Sequence, residues 1–296
     1  MTTRTITTQT LDVPGATLAY DVRPAEDGAA APDQPVLLLV GSPMAASGFA
    51  ALADRFAERT VVTYDPRGCE RSVKAEPSST STPEQHADDI HRLITALGVG
   101  PVDLFASSGG AVNALALVAS HPEDVRTLVA HEPPLASILP DREPALTAIR
   151  SIGEAYRRAG FGAGMAAFIA VTGHQGPFTQ EDAAQPAPNP AMFGLPTEDD
   201  GSRTDPLLHQ NLESCTGYEP DFDALRAAST RIVIGAGEES AGQLANRGAH
   251  TVAERLGTSV VTFPSHHGGF VGGDGPYAGQ PEAFAAKLHQ VLAAGA

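Results

Sequence analysis

Ser107 and Ser108 stand side by side in VDLFASSGGAVNAL (102–115), between an apolar run and a run of small residues. A serine hydroxyl attacks a carbonyl only when a base takes its proton. Imidazole suits that task, because its ordinary pKa of about 6.5 lies near neutrality. Among the 10 histidines, His266 and His267 in FPSHHGGF follow the last apolar run, and Gly268 and Gly269 let the backbone turn behind His267, which favours it. His86, His91 and His289 fall within helical patterns, and His174 and His209 in the middle of the chain. The third partner is an acid that orients the imidazole. Glu132 in AHEPP ends an apolar run, with Pro133 and Pro134 stiffening the exit. Glu238, three residues past Gly235, competes with it, although Glu238-Glu239-Ser240 also reads as the acidic start of a helix. Glu132 is the first choice as acid and Glu238 the alternative.

Small-residue spacing separates the two serines. A nucleophile on a sharp strand-to-helix turn needs small residues two places before and after it, where the two backbones nearly touch. Ser108 has Ala106 and Gly110 there; Ser107 has Phe105 and Gly109. Ser108 is the candidate nucleophile, against the competing reading of a turn former or helix cap. Charge developing on a substrate oxygen would need backbone N–H donors. Gly109 at the start of the helix supplies one, and Ser42 in the loop GSPMAASGF the other.

These residues need a frame that gathers them. Apolar runs at 36–40, 60–64, 102–106, 126–130, 230–234 and 258–263 read as strands, and their continuous hydrophobicity predicts a mostly parallel sheet buried on both faces. Between them, TPEQHADDIHRLITALG opens with a Thr82/Gln85 capping box and Pro83 and closes on Gly98. AVNALALVASH, QLANRGAHTVAERLG and PEAFAAKLHQVLAA supply further helices. The alternation predicts a doubly wound α/β sheet, whose ligands bind beyond the carboxyl ends of the strands. Ser108, Glu132, Glu238 and His267 all follow predicted strands, in the order serine, acid, histidine. Residues 134–225 break the rhythm, with helical pieces and the proline-rich stretch QPAPNPAMFGLPTEDDGSRTDP. They are expected to form a helical cap with a mobile loop, inserted between core segments 1–133 and 226–296. Met44, Met165, Phe168 and Met192 are the expected lining of an apolar pocket. Asp199 and Asp200 read as solvated surface rather than a metal pair, and GAGEES (235–240) lacks the third glycine of a nucleotide-binding loop.

Composition narrows the partners. With 19 Lys+Arg against 35 Asp+Glu, the chain carries a formal net charge of −16, so nucleic acid and anionic membrane surfaces are not expected partners. Two cysteines, Cys69 and Cys215, make neither a disulfide framework nor a zinc spacing, and no run of 18 apolar residues is present. A cytoplasmic protein acting on a small molecule without cofactor or metal is the expectation.

With these pieces in place the chain resembles the α/β-hydrolase superfamily over nearly its whole length. GSPMAASGF matches the oxyanion loop, YDPRGCERS the D-x-R-G-x-x-x-S turn, FASSGGA the elbow and FPSHHGGF the histidine loop. Within the superfamily it is similar to the esterase and lactonase branch, including zearalenone-type lactonases, which share a Ser-Ser-Gly-Ala elbow and carry their acid in a His-Glu-x-Pro sequence. The resemblance implies Ser108 as nucleophile, His267 as base, Glu132 as acid, Ser42 and Gly109 as oxyanion donors, and structural roles for Asp65 and Arg67. Val40 stands where the family has a histidine and Ala106 where it has a glycine, and the cap holds no tryptophan, so the substrate of those lactonases is not carried over. The expected reaction is cleavage of an ester or lactone through an acyl-enzyme. Carbon–carbon bond hydrolysis, perhydrolysis and a non-catalytic ligand-binding protein on the same shell are the alternatives.

Overall fold

The computed structural model describes residues 5–26, 34–274 and 278–294. One sheet holds the strands β1 (Thr7–Val13), β2 (Ala16–Arg23), β3 (Leu37–Val40), β4 (Val61–Tyr64), β5 (Val73–Lys74), β6 (Val102–Ser107), β7 (Val125–His131), β8 (Arg231–Gly237) and β9 (Val261–Phe263). Their order is β1-β2-β4-β3-β6-β7-β8-β9, with β5 pairing β2. The run from β4 through β9 in that order is parallel, while β1 and β2 join antiparallel. The helices are α1 (Ala50–Ala53), α2 (Pro83–Leu97), α3 (Gly109–Ser120), α4 (Arg142–Gly173), α5 (Gln180–Ala183), α6 (Leu212–Thr216), α7 (Phe222–Ala227), α8 (Leu244–Leu256) and α9 (Pro281–Ala293).

The two-residue pleat explains why the central strands are apolar along most of their length, with Asp103 of β6 and Thr127 of β7 among the exceptions. Leu38, Val40, Leu104, Ala106, Leu128 and Ala130 point to one face, against Ile90 and Leu93 of α2, Val112 and Leu115 of α3 and Val252 of α8. Their neighbours Leu37, Leu39, Phe105 and Val129 point to the other, against Leu52 of α1 and Phe284 and Leu288 of α9. Helix α2 starts as its sequence predicts: Thr82 Oγ1 accepts from Gln85 N–H at 3.3 Å, and Gln85 Oε1 accepts from Thr82 N–H at 3.1 Å. It stops at Gly98, whose φ of 62° lies in the left-handed region that glycine enters without strain.

One feature departs from expectation. The β1–β2 hairpin was not foreseen, because β1 is exposed along most of its length and so lacks an apolar run. Its signals were the β-branched threonines and the Pro14-Gly15 turn. The proline-rich stretch makes hydrogen bonds to α4. Arg203 pairs with Asp199 at 2.6 Å and donates to Arg157 O at 3.2 Å, and Asp205 N–H donates to the Tyr156 hydroxyl at 3.1 Å. Between β7 and β8 no strand occurs among the described residues. There α4, kinked at Ala159–Gly160, gathers an apolar cluster with Ile149, Ile152, Tyr156 and Leu208.

Candidate active site

Pleat parity also separates the two serines. Ser107 lies two residues past Phe105 and shares its face of the sheet, so its side chain is buried, with Oγ 3.3 Å from His131 Nδ1. Ser108 leaves the strand with φ 58° and ψ −130°, a strained conformation for a residue with a Cβ. Its N–H donates to His131 O at 3.0 Å, so the turn is fastened to β7. A Cβ on Gly110 would lie 2.5 Å from Val40 O, and one on Gly109 2.5 Å from Ser42 O. Both positions therefore require glycine, and Ser42 and Gly109 lie against each other. As the first residue of α3, Gly109 has no intrahelical acceptor for its N–H. The loop that carries Ser42 is held by Asp65, whose Oδ1 accepts from Ala46 N–H at 3.0 Å and which also pairs with Arg71 at 2.6 Å. Arg67 in turn is paired with buried Asp89 at 2.7 Å.

Glu132 begins where β7 ends, with φ 50° and its N–H donating to Gly235 O at 3.0 Å. Its side chain is fully buried, and Oε2 accepts from His267 Nδ1 at 2.6 Å. Oε1 accepts from Gly237 N–H at 2.9 Å, from Asn246 Nδ2 at 3.3 Å and from the Ser240 hydroxyl. Burial alone would favour the neutral acid. The His267 hydrogen bond, the fields of His131 and His267 and the Ser240 hydroxyl outweigh it and hold the carboxyl at about 2. An ionised carboxylate only accepts, so the proton of a neutral His267 sits on Nδ1, and Nε2 keeps its lone pair. Glu238 is exposed; its Oε1 accepts from Ser265 N–H at 3.4 Å. His266 is spent on its own loop, with Nε2 donating to Ala278 O at 3.3 Å and Nδ1 accepting from Gly268 N–H at 3.0 Å. Among the described residues neither Ser108 Oγ nor His267 Nε2 forms a hydrogen bond. Ligand-free catalytic contacts are often long and tighten only around substrate.

Charge and packing around the pair come from residues the sequence did not single out. Ser240 and Asn246, which complete the cradle of Glu132, read as the start and interior of a helix, and nothing in their spacing marks them. His131 is buried beneath His267, with ring centroids 6.2 Å apart, among Phe105, Phe263, Phe270 and Phe284. Burial pushes its imidazole down to about 4 and keeps it neutral. Of the expected pocket lining, Met44 packs between Gly41 and Gly48 inside the loop that carries Ser42. Met165 and Phe168 pack on the cluster around α4, and Met192 is 76% exposed to solvent. The structure does not bring these four together. Cys69 and Cys215 are free buried thiols, each pushed up to about 12 by burial.

The family model described as "alpha/beta hydrolase fold" matches residues 34–197. The chain belongs to the α/β hydrolase fold family. The uncharacterized hydrolase YraK of Bacillus subtilis strain 168 is 29% identical over 97% of both chains. A hydrolase of Pseudomonas aeruginosa PA01 superposes with a TM-score of 0.65 at 20% identity, over 96% of this chain and 98% of that one. A thermophilic esterase of Thermogutta terrifontis superposes with a TM-score of 0.62 at 21% identity, over 99% of each. Family and relative place this α/β hydrolase among hydrolytic enzymes as a class. No helix among its described residues is long and apolar enough to cross a membrane.

Proposed function

We propose that this α/β hydrolase cleaves a carboxylic ester or lactone of a small apolar molecule through an acyl-enzyme. Ser108 Oγ attacks the carbonyl carbon while His267 Nε2 takes its proton. The imidazolium that forms is oriented and stabilised by Glu132 through Nδ1. The N–H groups of Gly109 and Ser42 receive the oxyanion. His267 then returns its proton to the leaving alcohol, and a water activated by the same nitrogen releases the acid. In a lactone, alcohol and acid leave as one hydroxy acid. Met44 lies within the oxyanion loop and is the apolar residue proposed to meet the acyl group.

One observation carries the reading: the 2.6 Å bond from His267 Nδ1 to buried, ionised Glu132, whose preceding residue fastens the Ser108 turn. This leaves the free imidazole lone pair as the available base. The esterase and lactonase branch is favoured by the His131-Glu132-Pro133-Pro134 sequence that supplies the acid. Turnover of a panel of p-nitrophenyl esters and aliphatic and aromatic lactones tests the proposal. Wild type is expected to hydrolyse members of the panel and Ser108→Ala to lose about 10⁶-fold in kcat. Equal turnover by both proteins would exclude Ser108 as nucleophile.

A further inference from the structure

At the opposite end of β7 from Glu132, three side chains converge from the middle of one helix, the end of another and a turn. His91 lies on α2, His121 caps the carboxyl end of α3, and Asp124 closes the short turn Pro122–Asp124 that leads into β7. His91 Nδ1 is 2.6 Å from Asp124 Oδ2. The His91 and His121 rings stack at 3.9 Å between centroids, 14° from parallel. His121 Nδ1 is 3.3 Å from Glu123 Oε1, which brings a second carboxylate to the same place. One donor atom from each of His91, His121 and Asp124 lies within 4.8 Å of the other two.

We propose that His91, His121 and Asp124 form a binding site for a divalent transition-metal ion, Zn²⁺ in the first instance, that clasps α2 to the α3–β7 turn. Two imidazoles with a carboxylate are a nitrogen-rich, borderline-soft set that suits Zn²⁺, Ni²⁺ or Cu²⁺ and is wrong for Mg²⁺ or Ca²⁺, which take oxygen ligands. With Zn–N and Zn–O bonds of about 2.0–2.2 Å, two ligands of a tetrahedral ion lie roughly 3.4 Å apart. The widest separation, which does not exceed 4.8 Å, therefore has to close by at most about 1.4 Å. The imidazoles are about one-third exposed, which leaves their side chains room to rotate. The backbone beneath is already fixed: His121 N–H donates to Leu117 O at 2.7 Å, and Asp124 N–H donates to His121 O at 3.1 Å. Glu123 or water completes the coordination. The seven residues of β7 separate this site from Glu132 by about 20 Å, so the ion stabilises the fold and does not enter the reaction.

Calorimetric titration of untagged, chelator-stripped protein with Zn²⁺ tests the site, with Co²⁺ absorption reporting the ligand set. The expected result is one ion per chain, a tetrahedral Co²⁺ band and a raised thermal midpoint in Zn²⁺. His91→Gln and His121→Gln should each weaken Zn²⁺ binding at least tenfold and leave ester turnover unchanged. Asp124→Asn, which keeps both imidazoles, should weaken it as well and guards against a histidine variant that fails to fold. No binding to wild type, or binding unaltered in all three variants, would overturn the proposal.

Discussion

At the scale of single residues, the account rests on which carboxylate holds His267. Glu132 is buried and bonded to the imidazole, whereas Glu238 is exposed and accepts a hydrogen bond from Ser265 N–H. Glu132→Gln should therefore lower kcat by about 10³–10⁴-fold, since an amide disturbs both the tautomer and the charge that the imidazolium needs. Glu238→Gln should stay within about twofold of wild type. Steady-state kinetics on one p-nitrophenyl ester compares them, and the reverse pattern would move the acid to β8. Much of this was legible in residue types: a serine between small neighbours, a histidine before two glycines and a glutamate before two prolines. The cradle of Ser240 and Asn246 was not, because its members are common helix residues that meet Glu132 only when α8 packs beside β7. The pocket lining was also illegible. Met44, Met165, Phe168 and Met192 are all large apolar residues, and apolarity alone does not say which cluster a side chain joins.

At the scale of elements, the turn from β6 to α3 sets the geometry. Backbone atoms of Val40 and Gly41 crowd the position of a Cβ on Gly110, at 2.5 and 2.8 Å, and backbone cannot swing away as a side chain does. Gly110→Ala should cost about 1–3 kcal/mol in urea unfolding, the usual range for overpacking. Gly100→Ala, where a Cβ meets nothing within 4 Å, should cost less than about 0.5 kcal/mol. Equal midpoints for both variants would show that the close approach carries no energetic weight. Elements with apolar cores and clear caps, such as α2 and the parallel strands, could be read from the sequence. The β1–β2 hairpin could not, since most of β1 is exposed and shows no apolar run, although its last residue, Val13, joins Ala16, Leu18 and Tyr20 of β2 in the core.

At the scale of the whole molecule, the fold holds two histidines in places where charge is unwelcome. His86 and His131 are fully buried, and burial pushes each imidazole down to about 4. Between pH 6.5 and 4 the unfolded chain takes up protons that the fold refuses, so stability falls with pH. The slope is expected to be on the order of 2 kcal/mol per pH unit near pH 5. Glu132, held at about 2, adds a further loss as pH drops from its ordinary value of 4.5 through 2. Urea midpoints at pH 7, 6 and 5 check the first step. His131→Phe, which fits the surrounding aromatic rings, should roughly halve the slope, and flat midpoints would contradict the burial argument. The same fold brings Ser108, Glu132 and His267 to one rim from positions far apart in the chain, and that convergence is the central claim. Labelling with a fluorophosphonate probe, followed by peptide mapping, tests it most directly. The account predicts one adduct, on Ser108, in the native protein at pH 7.5, and none in His267→Gln or in the urea-unfolded chain. An adduct on Ser107, equal labelling of the unfolded chain, or no adduct at all would contradict it.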